Sequence, residues 1–355
     1  MLRLDDLPAL TRTDAAAFTP PPRFGSVDFG SYRGDHPSQA QAKVRVRAFA
    51  AEARDPLPRR WWQLRARAGD RAGGRAGAGG DERLPGLYLD GGFGVGKTHL
   101  LAAAFTHAPT EAKRYVSFQQ LVHVIGVLGM DAARERLAQV RLLCLDEFEL
   151  DDPGNTLIVK TFLASVFAHG GRVITTSNTP PAAQGQGRFN AQDFQREIQS
   201  IASRFEVLSI DGPDARAGLE AGVLLPPSAL PRGGADLIRT DWETLLRHLR
   251  AHHPARYRAQ LESVAGLAVA GARRLADQND ALRFVHFIDT LYDLRVPLWL
   301  AGAADGGEAG GAAPLLDLFD PLYRNGAYAK KYHRCASRLA ESLREGQALT
   351  ADAAA

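Results

Sequence analysis

The segment "GGFGVGKT" carries the most explicit chemistry in the chain: Gly91, Gly92, Phe93, Gly94, Val95, Gly96, Lys97 and Thr98 fit the spacing G-x-x-x-x-G-K-[ST]. Glycines there let successive backbone N–H groups fold around phosphate oxygens, and a helix beginning at the loop adds the positive end of its dipole. Lys97 is placed to reach the β- and γ-phosphates of ATP, and Thr98 to offer its hydroxyl to Mg2+. His99 follows directly and is counted with the ATP site. A second group lies in "VRLLCLDEFELDD", where mostly apolar residues give way to five carboxylates between Asp146 and Asp152. Asp146, first after the apolar run, is expected to hold Mg2+. Glu147 is expected to act as general base on the attacking water, a pairing that points to hydrolysis rather than binding alone. Glu149, Asp151 and Asp152 read as the start of the next helix, where acids suit the dipole.

Two further positions complete the expected site. Asn178 ends "ITTSN", at the tip of an apolar run, where a polar group can touch the γ-phosphate or the water. Arg204 lies in "IASRFEVLSI", at the end of a helix just before a strand. That placement resembles the Ser-Arg-Cys element of clamp-loader ATPases, whose arginine reaches a neighbouring subunit's γ-phosphate; Arg188 and Arg196 compete for the role. An arginine supplied in trans stabilises transition-state charge.

The elements that must hold these residues alternate. Leu87–Asp90, Lys113–Phe118, Val140–Leu145, Gly171–Asn178 and Glu206–Asp211 read as strands, with helical patterns between them, including Ala191–Phe205. This rhythm predicts a five-stranded parallel sheet with helices on both faces. Apolar, non-alternating strands agree, since both sides are covered. The Asn178 strand is expected between the first and third. Residues 1–37, rich in Pro, Gly and Asp, read as a flexible arm. Residues 38–212 read as the ATP-binding domain, with a Gly/Ala/Arg loop at 68–86. Residues 213–345 read as a smaller C-terminal α+β domain, and 346–355 as a disordered tail. In that domain Phe284, Val285, Ile288, Leu291 and Tyr292 share one helical face.

Bulk properties narrow the class. A length of 355 residues suits about two domains. Composition, 45% hydrophobic and 23% charged, is globular. The charge of +3 and pI near 8.9 admit an anionic ligand, but no run has the density of a nucleic-acid arm. Two cysteines, Cys144 and Cys335, argue for a reducing compartment. With no signal-like N-terminus and no membrane-length apolar run, the expected location is cytoplasmic, without an integral span and with peripheral attachment left open. Cys144 reads as a core residue, the ten histidines show no ligand spacing, and Trp61 and Trp62 read as packing for an N-terminal helix.

The order "GGFGVGKTHLL", "LLCLDEFELDDPGNTLIVK", "VITTSNTPP", "GRFNAQDFQREI", followed by "ALRFVHFIDTLYDLRVPL" and "RCASRLAE", resembles the ZapE family of AAA+ ATPases, bacterial cell-division proteins with mitochondrial relatives. The likeness spans about residues 80–345. It implies a phosphate-loop NTPase core of AAA+ type, ATP and Mg2+ as cofactors, and Asn178 as γ-phosphate sensor. Assembly into a ring-like homo-oligomer and work on a protein client, the tubulin-like division-ring protein, are further implications. Arg283 and Arg338 match arginines of the C-terminal signatures, either of which would be a nucleotide contact. The chain departs from the family in its "GQGRFNAQDF" segment and in "RCASRL". A helicase-loader or initiator role on nucleic-acid complexes is the alternative, though no recognition helix or zinc site supports it. A scaffold that binds ATP without turning it over is a third reading, opposed by the Asp-Glu pair.

Overall fold

The computed structural model describes residues 18–55, 84–92, 94–150, 152–184, 191–212, 222–231, 237–303, 313–326 and 328–352. Phe93, Asp151, Arg188, Trp61, Trp62 and most of the 68–86 loop lie outside them. Two compact units are present, one formed by Val27–Gly212 and the other by residues up to Ser26 together with Pro213 onward.

The first unit is built on five parallel strands: β1 (Gly86–Gly91), β2 (Lys113–Ser117), β3 (Leu142–Asp146), β4 (Arg172–Ser177) and β5 (Phe205–Ile210). Their order across the sheet is β2-β3-β4-β1-β5, so β4 stands between β1 and β3 as expected. The central strand β3 is buried on both faces and has no exposed residue, whereas β5, at the edge of the sheet, alternates half-buried and exposed positions between its buried ends. Helix α1 (Pro37–Ala51) covers β5 and packs on α2 (Lys97–His107). It begins with a capping box: the His36 ring accepts from Ser38 N, and Gln39 Oε1 accepts from His36 N at 2.9 Å. Near its end, fully buried Phe49 lies under the Arg172 guanidinium, 4.0 Å from the ring centre. Truncating Phe49 to Ala would cost about 3–5 kcal/mol by the usual measure for a buried aromatic. Helix α2 is buried on all sides from Leu100 to Ala104, packed between α1 and the sheet, and its small alanines permit close approach. Helix α3 (Phe118–Leu128) starts one residue earlier than the sequence suggests, because Ser117 ends β2 and caps α3 through Gln120 N. Asp152 caps α4 (Pro153–Ala168), its carboxylate accepting from Asn155 N at 2.9 Å. Helix α5 (Ala191–Ala202) then leads into β5.

The second unit contains three parallel strands in the order β6-β7-β8: β6 (Leu237–Asp241), β7 (Gly266–Ala272) and β8 (Leu298–Gly302). The segment "GLAVAGA" of β7 is too rich in small residues to read as a strand from sequence. Helices α6 (Trp242–Ala251), α7 (Gln278–Leu294) and α8 (Ala329–Asp352) close the core. The expected face of α7 is correct, since Phe284, Val285, Ile288, Leu291 and Tyr292 are all buried.

Two boundaries need correction. The stretch read as a loose arm over 1–37 contains packed structure. Arg23, 8% exposed, is paired with Glu341 at 3.0 Å and Glu345 at 2.8 Å, and its guanidinium lies 3.6 Å over the Tyr292 ring. Phe29 and Tyr32 are buried within the first unit. Pro and Gly there shape turns rather than forbid order. At the other end, the tail expected from residue 346 continues as helix α8 to Asp352.

Candidate nucleotide site

Parallel strands bring their C-terminal ends to one edge, and the expected groups gather there. Gly96, at φ 88°, caps the start of α2; a Cβ at this position would meet the Tyr32 ring at 2.5 Å, so glycine is required. Lys97 follows as the first residue of α2 and is 8% exposed. Its ammonium donates to the carbonyls of Gly91 at 2.8 Å and Gly92 at 2.6 Å and to Asn178 Oδ1 at 2.9 Å. The tip of β4 is thereby tied to the glycine loop. Thr98 Oγ1 donates to Asp146 Oδ1 at 3.3 Å, linking the same loop to the tip of β3. Residues distant in the chain thus share one corner.

Asp146 accepts hydrogen bonds from three hydroxyls. Besides Thr98, Thr176 Oγ1 donates to Oδ1 at 2.5 Å and Tyr115 Oη to Oδ2 at 2.7 Å. Sequence reasoning missed Thr176 and Tyr115, since both read as buried strand residues. Their role follows from register: β2 pairs with β3 so that Tyr115 lies beside Cys144, and β4 flanks β3 on the other side. A hydroxyl and a carboxylate side by side form a hard oxygen donor set of the kind Mg2+ selects, so the residues present fit the expected ion. Glu147 comes next at φ 53°, a left-handed conformation that costs a non-glycine residue about 1–2 kcal/mol. Its N–H donates to Thr176 Oγ1 at 3.0 Å, and the N–H of Phe148 to Thr176 O at 2.7 Å, bonds that hold the turn.

The outer side of the glycine loop is also gripped, which the sequence did not reveal. Tyr32 Oη donates to Val95 O at 2.9 Å and Gln39 Nε2 to the same carbonyl at 3.3 Å. With its carbonyl drawn outward, the Val95–Gly96 peptide is fixed from outside the sheet. His99 turns to this side, its Nε2 3.0 Å from Ser31 Oγ and 3.1 Å from Asp28 O. Burial lowers its pKa and favours the neutral ring. Asp90, below the loop, is pushed up by burial, with Gly91 N–H and the Lys97 charge opposing.

The arginine candidates lie elsewhere. Arg204 is exposed and directly precedes β5, its carbonyl accepting from Gly86 N at 3.0 Å. Gly86 opens β1 while Gly91 closes it, so Arg204 sits at the opposite end of the sheet, roughly 17 Å away at the usual strand rise. Arg196 is exposed on α5. In the second unit Arg283 caps α6, donating to Leu249 O at 3.0 Å and His252 O at 3.1 Å. Arg338 is buried 2.5 Å from Asp289 Oδ1. Both C-terminal arginines are committed to contacts of their own unit.

Parallel order with β4 between β1 and β3, a phosphate loop after β1 and acids after β3 define a phosphate-loop NTPase of AAA+ type. The particular family is given by a family model, AFG1-like ATPase, which matches residues 39–221 and 227–351; the chain belongs to this family. Among its relatives is the cell division protein ZapE of Escherichia coli, 29% identical over 142 residues, covering 37% of this chain and 38% of that protein. Lactation elevated protein 1 homolog B of Danio rerio is 28% identical over 147 residues, 36% of this chain and 29% of its own length. The chain thus matches well under half the length of these relatives. Solved structures that resemble it include DnaI, at 19% identity and a TM-score of 0.39 over 54% of this chain and 94% of that one. AMPPCP-bound DnaA from Aquifex aeolicus aligns at 16% identity and 0.37, over 54% and 50%. No helix among the described residues is long and apolar enough to cross a membrane.

Proposed function

We propose that this chain hydrolyses ATP with Mg2+, in a homo-oligomer that remodels a protein partner in the cytoplasm. The observation that carries this is the convergence of Lys97 with Asn178 and of Thr98 with Asp146 at one edge of the sheet. Backbone N–H groups of the loop and the Lys97 ammonium bind the β- and γ-phosphates. Thr98 and Asp146 would hold Mg2+, which neutralises charge on the phosphates. Glu147 accepts a proton from water as that water attacks the γ-phosphorus, while Asn178 orients the γ-phosphate. The bond from the γ-phosphorus to its bridging oxygen breaks, and ADP and inorganic phosphate leave. General-base assistance of this kind is worth roughly 10²–10⁴ in rate.

Arg204 cannot serve the site of its own chain from the far end of the sheet. Its exposure suits a contribution to a second copy, where such an arginine is worth about 10³–10⁵. The likeness to a cell division protein supports a setting in cell division, and the client proposed there is a division-ring protein. Two buried, free thiols suit a reducing interior.

The test mixes two crippled proteins. Arg204→Ala and Glu147→Gln should each release little phosphate alone. Mixed, they regain activity, because a site with intact Glu147 can meet an intact Arg204 from its neighbour. A mixture that stays inactive, or a rate per molecule that ignores protein concentration, would remove the trans arginine and the oligomer. ATP-dependent co-sedimentation with purified division-ring polymer tests the client; identical sedimentation with ATP, ADP and no nucleotide contradicts it.

A further inference from the structure

Gln184 lies at the end of a short turn, Pro181–Ala183, that follows β4, and it is only 3% exposed. Its side-chain oxygen accepts from Leu150 N at 2.8 Å. Its nitrogen faces four oxygens: Tyr88 Oη at 2.8 Å, Ser177 Oγ at 3.0 Å, and the carbonyls of Phe148 and Thr179, each at 3.2 Å. Two N–H bonds are shared among these four acceptors. The Tyr88 hydroxyl donates to Thr179 O at 2.6 Å, and burial raises its pKa so that it keeps the proton it donates.

These partners have a common feature. Phe148 and Leu150 follow Glu147, while Ser177 and Thr179 flank Asn178. One amide therefore joins the segment carrying the expected base to the segment carrying the expected γ-phosphate contact, and it anchors both to β1 through Tyr88. Glu147 needs such support, because its left-handed backbone is one that L-residues avoid.

We propose that Gln184 is a positioning residue, which fixes Glu147 and Asn178 relative to each other and so sets the turnover rate. The inference rests on the hydrolytic reading of those two residues. It does not extend to ATP affinity, since neither Lys97 nor the glycine loop is among Gln184's hydrogen-bond partners.

Steady-state hydrolysis and ADP affinity of the full chain test it, with Glu147→Gln alongside. Gln184→Leu should lower kcat by about tenfold or more, as small misplacements of reacting groups do, with KM for ATP and Kd for ADP within about twofold. Gln184→Glu keeps the shape but turns a carboxylate towards four oxygens; only its protonated form regains a donor. Its kcat should rise as pH falls from about 8 to 6, relative to the original protein, with no matching change in ADP affinity. Should Gln184→Leu fail to fold, the Gln184→Glu profile carries the test. Unchanged kcat in both variants while Glu147→Gln loses turnover would overturn the proposal. So would a parallel fall of kcat, ADP affinity and melting temperature, which marks a purely structural amide. Retained turnover in Glu147→Gln would instead remove the reading beneath it.

Discussion

Two buried aspartates, one in each unit, take hydrogen bonds from different kinds of donor. Three neutral hydroxyls, from Thr98, Thr176 and Tyr115, donate to Asp146. Asp289 lies between two guanidiniums, Arg334 at 2.7 Å and Arg338 at 2.5 Å. Hydroxyls orient a carboxylate without cancelling its charge, which suits the Mg2+ contact proposed for Asp146. Two arginines compensate the charge completely and make Asp289 an internal fastening between α7 and α8. Burial alone would raise its pKa, but the two guanidiniums outweigh it and hold the carboxyl low, at about 2. On the proposed reading, the same side chain serves a ligand in one unit and the fold in the other.

The largest effect that would sharpen this contrast is on stability. Asp289→Asn leaves two buried guanidiniums without their counter-charge and should destabilise the C-terminal unit by roughly 3–5 kcal/mol in urea unfolding. The pH dependence has a definite sign. Because the folded carboxyl lies below its ordinary value of 3.8, its contribution is complete above that value and fades as pH falls towards about 2. Acid unfolding of the original protein should show this loss below about pH 4, and Asp289→Asn should show less of it. An acid transition identical in both would mean that the pair does not carry charge-dependent stability. A smaller effect is expected in the other unit. Tyr115→Phe removes one hydroxyl from Asp146, worth about 1 kcal/mol, and should raise the Mg2+ concentration for half-maximal ATP binding several-fold. An unchanged Mg2+ midpoint would break the link between that hydroxyl and the ion.

The same contrast explains what the sequence made legible. Glycines, Lys97 and the Asp146–Glu147 pair announce themselves because the chemistry proposed for them needs those residue types at fixed local spacing. Five strands were readable for a similar reason, since buried parallel strands form apolar runs between helical patterns, and of their order only the place of the Asn178 strand between the first and third was expected. Thr176, Tyr115 and Gln184 were not readable. Their roles come from strand register and from a turn that folds back on β1, and neither leaves a periodic trace. Arg23 and Tyr32 were hidden in a stretch whose prolines and glycines look loose, although their partners lie hundreds of residues away in one case and at the phosphate loop in the other. In β7, alanine and glycine replaced the branched residues that mark a strand.

The loop at Gly91–Thr98 and the acids at the end of β3 act, on this reading, as a single hydrolytic site. The most direct measurement compares ATP binding by calorimetry with phosphate release in a single turnover, for the original protein and Glu147→Gln. Affinities should lie within a few-fold of each other, and release should slow at least about 100-fold in the variant. Equal rates of release would contradict the single site.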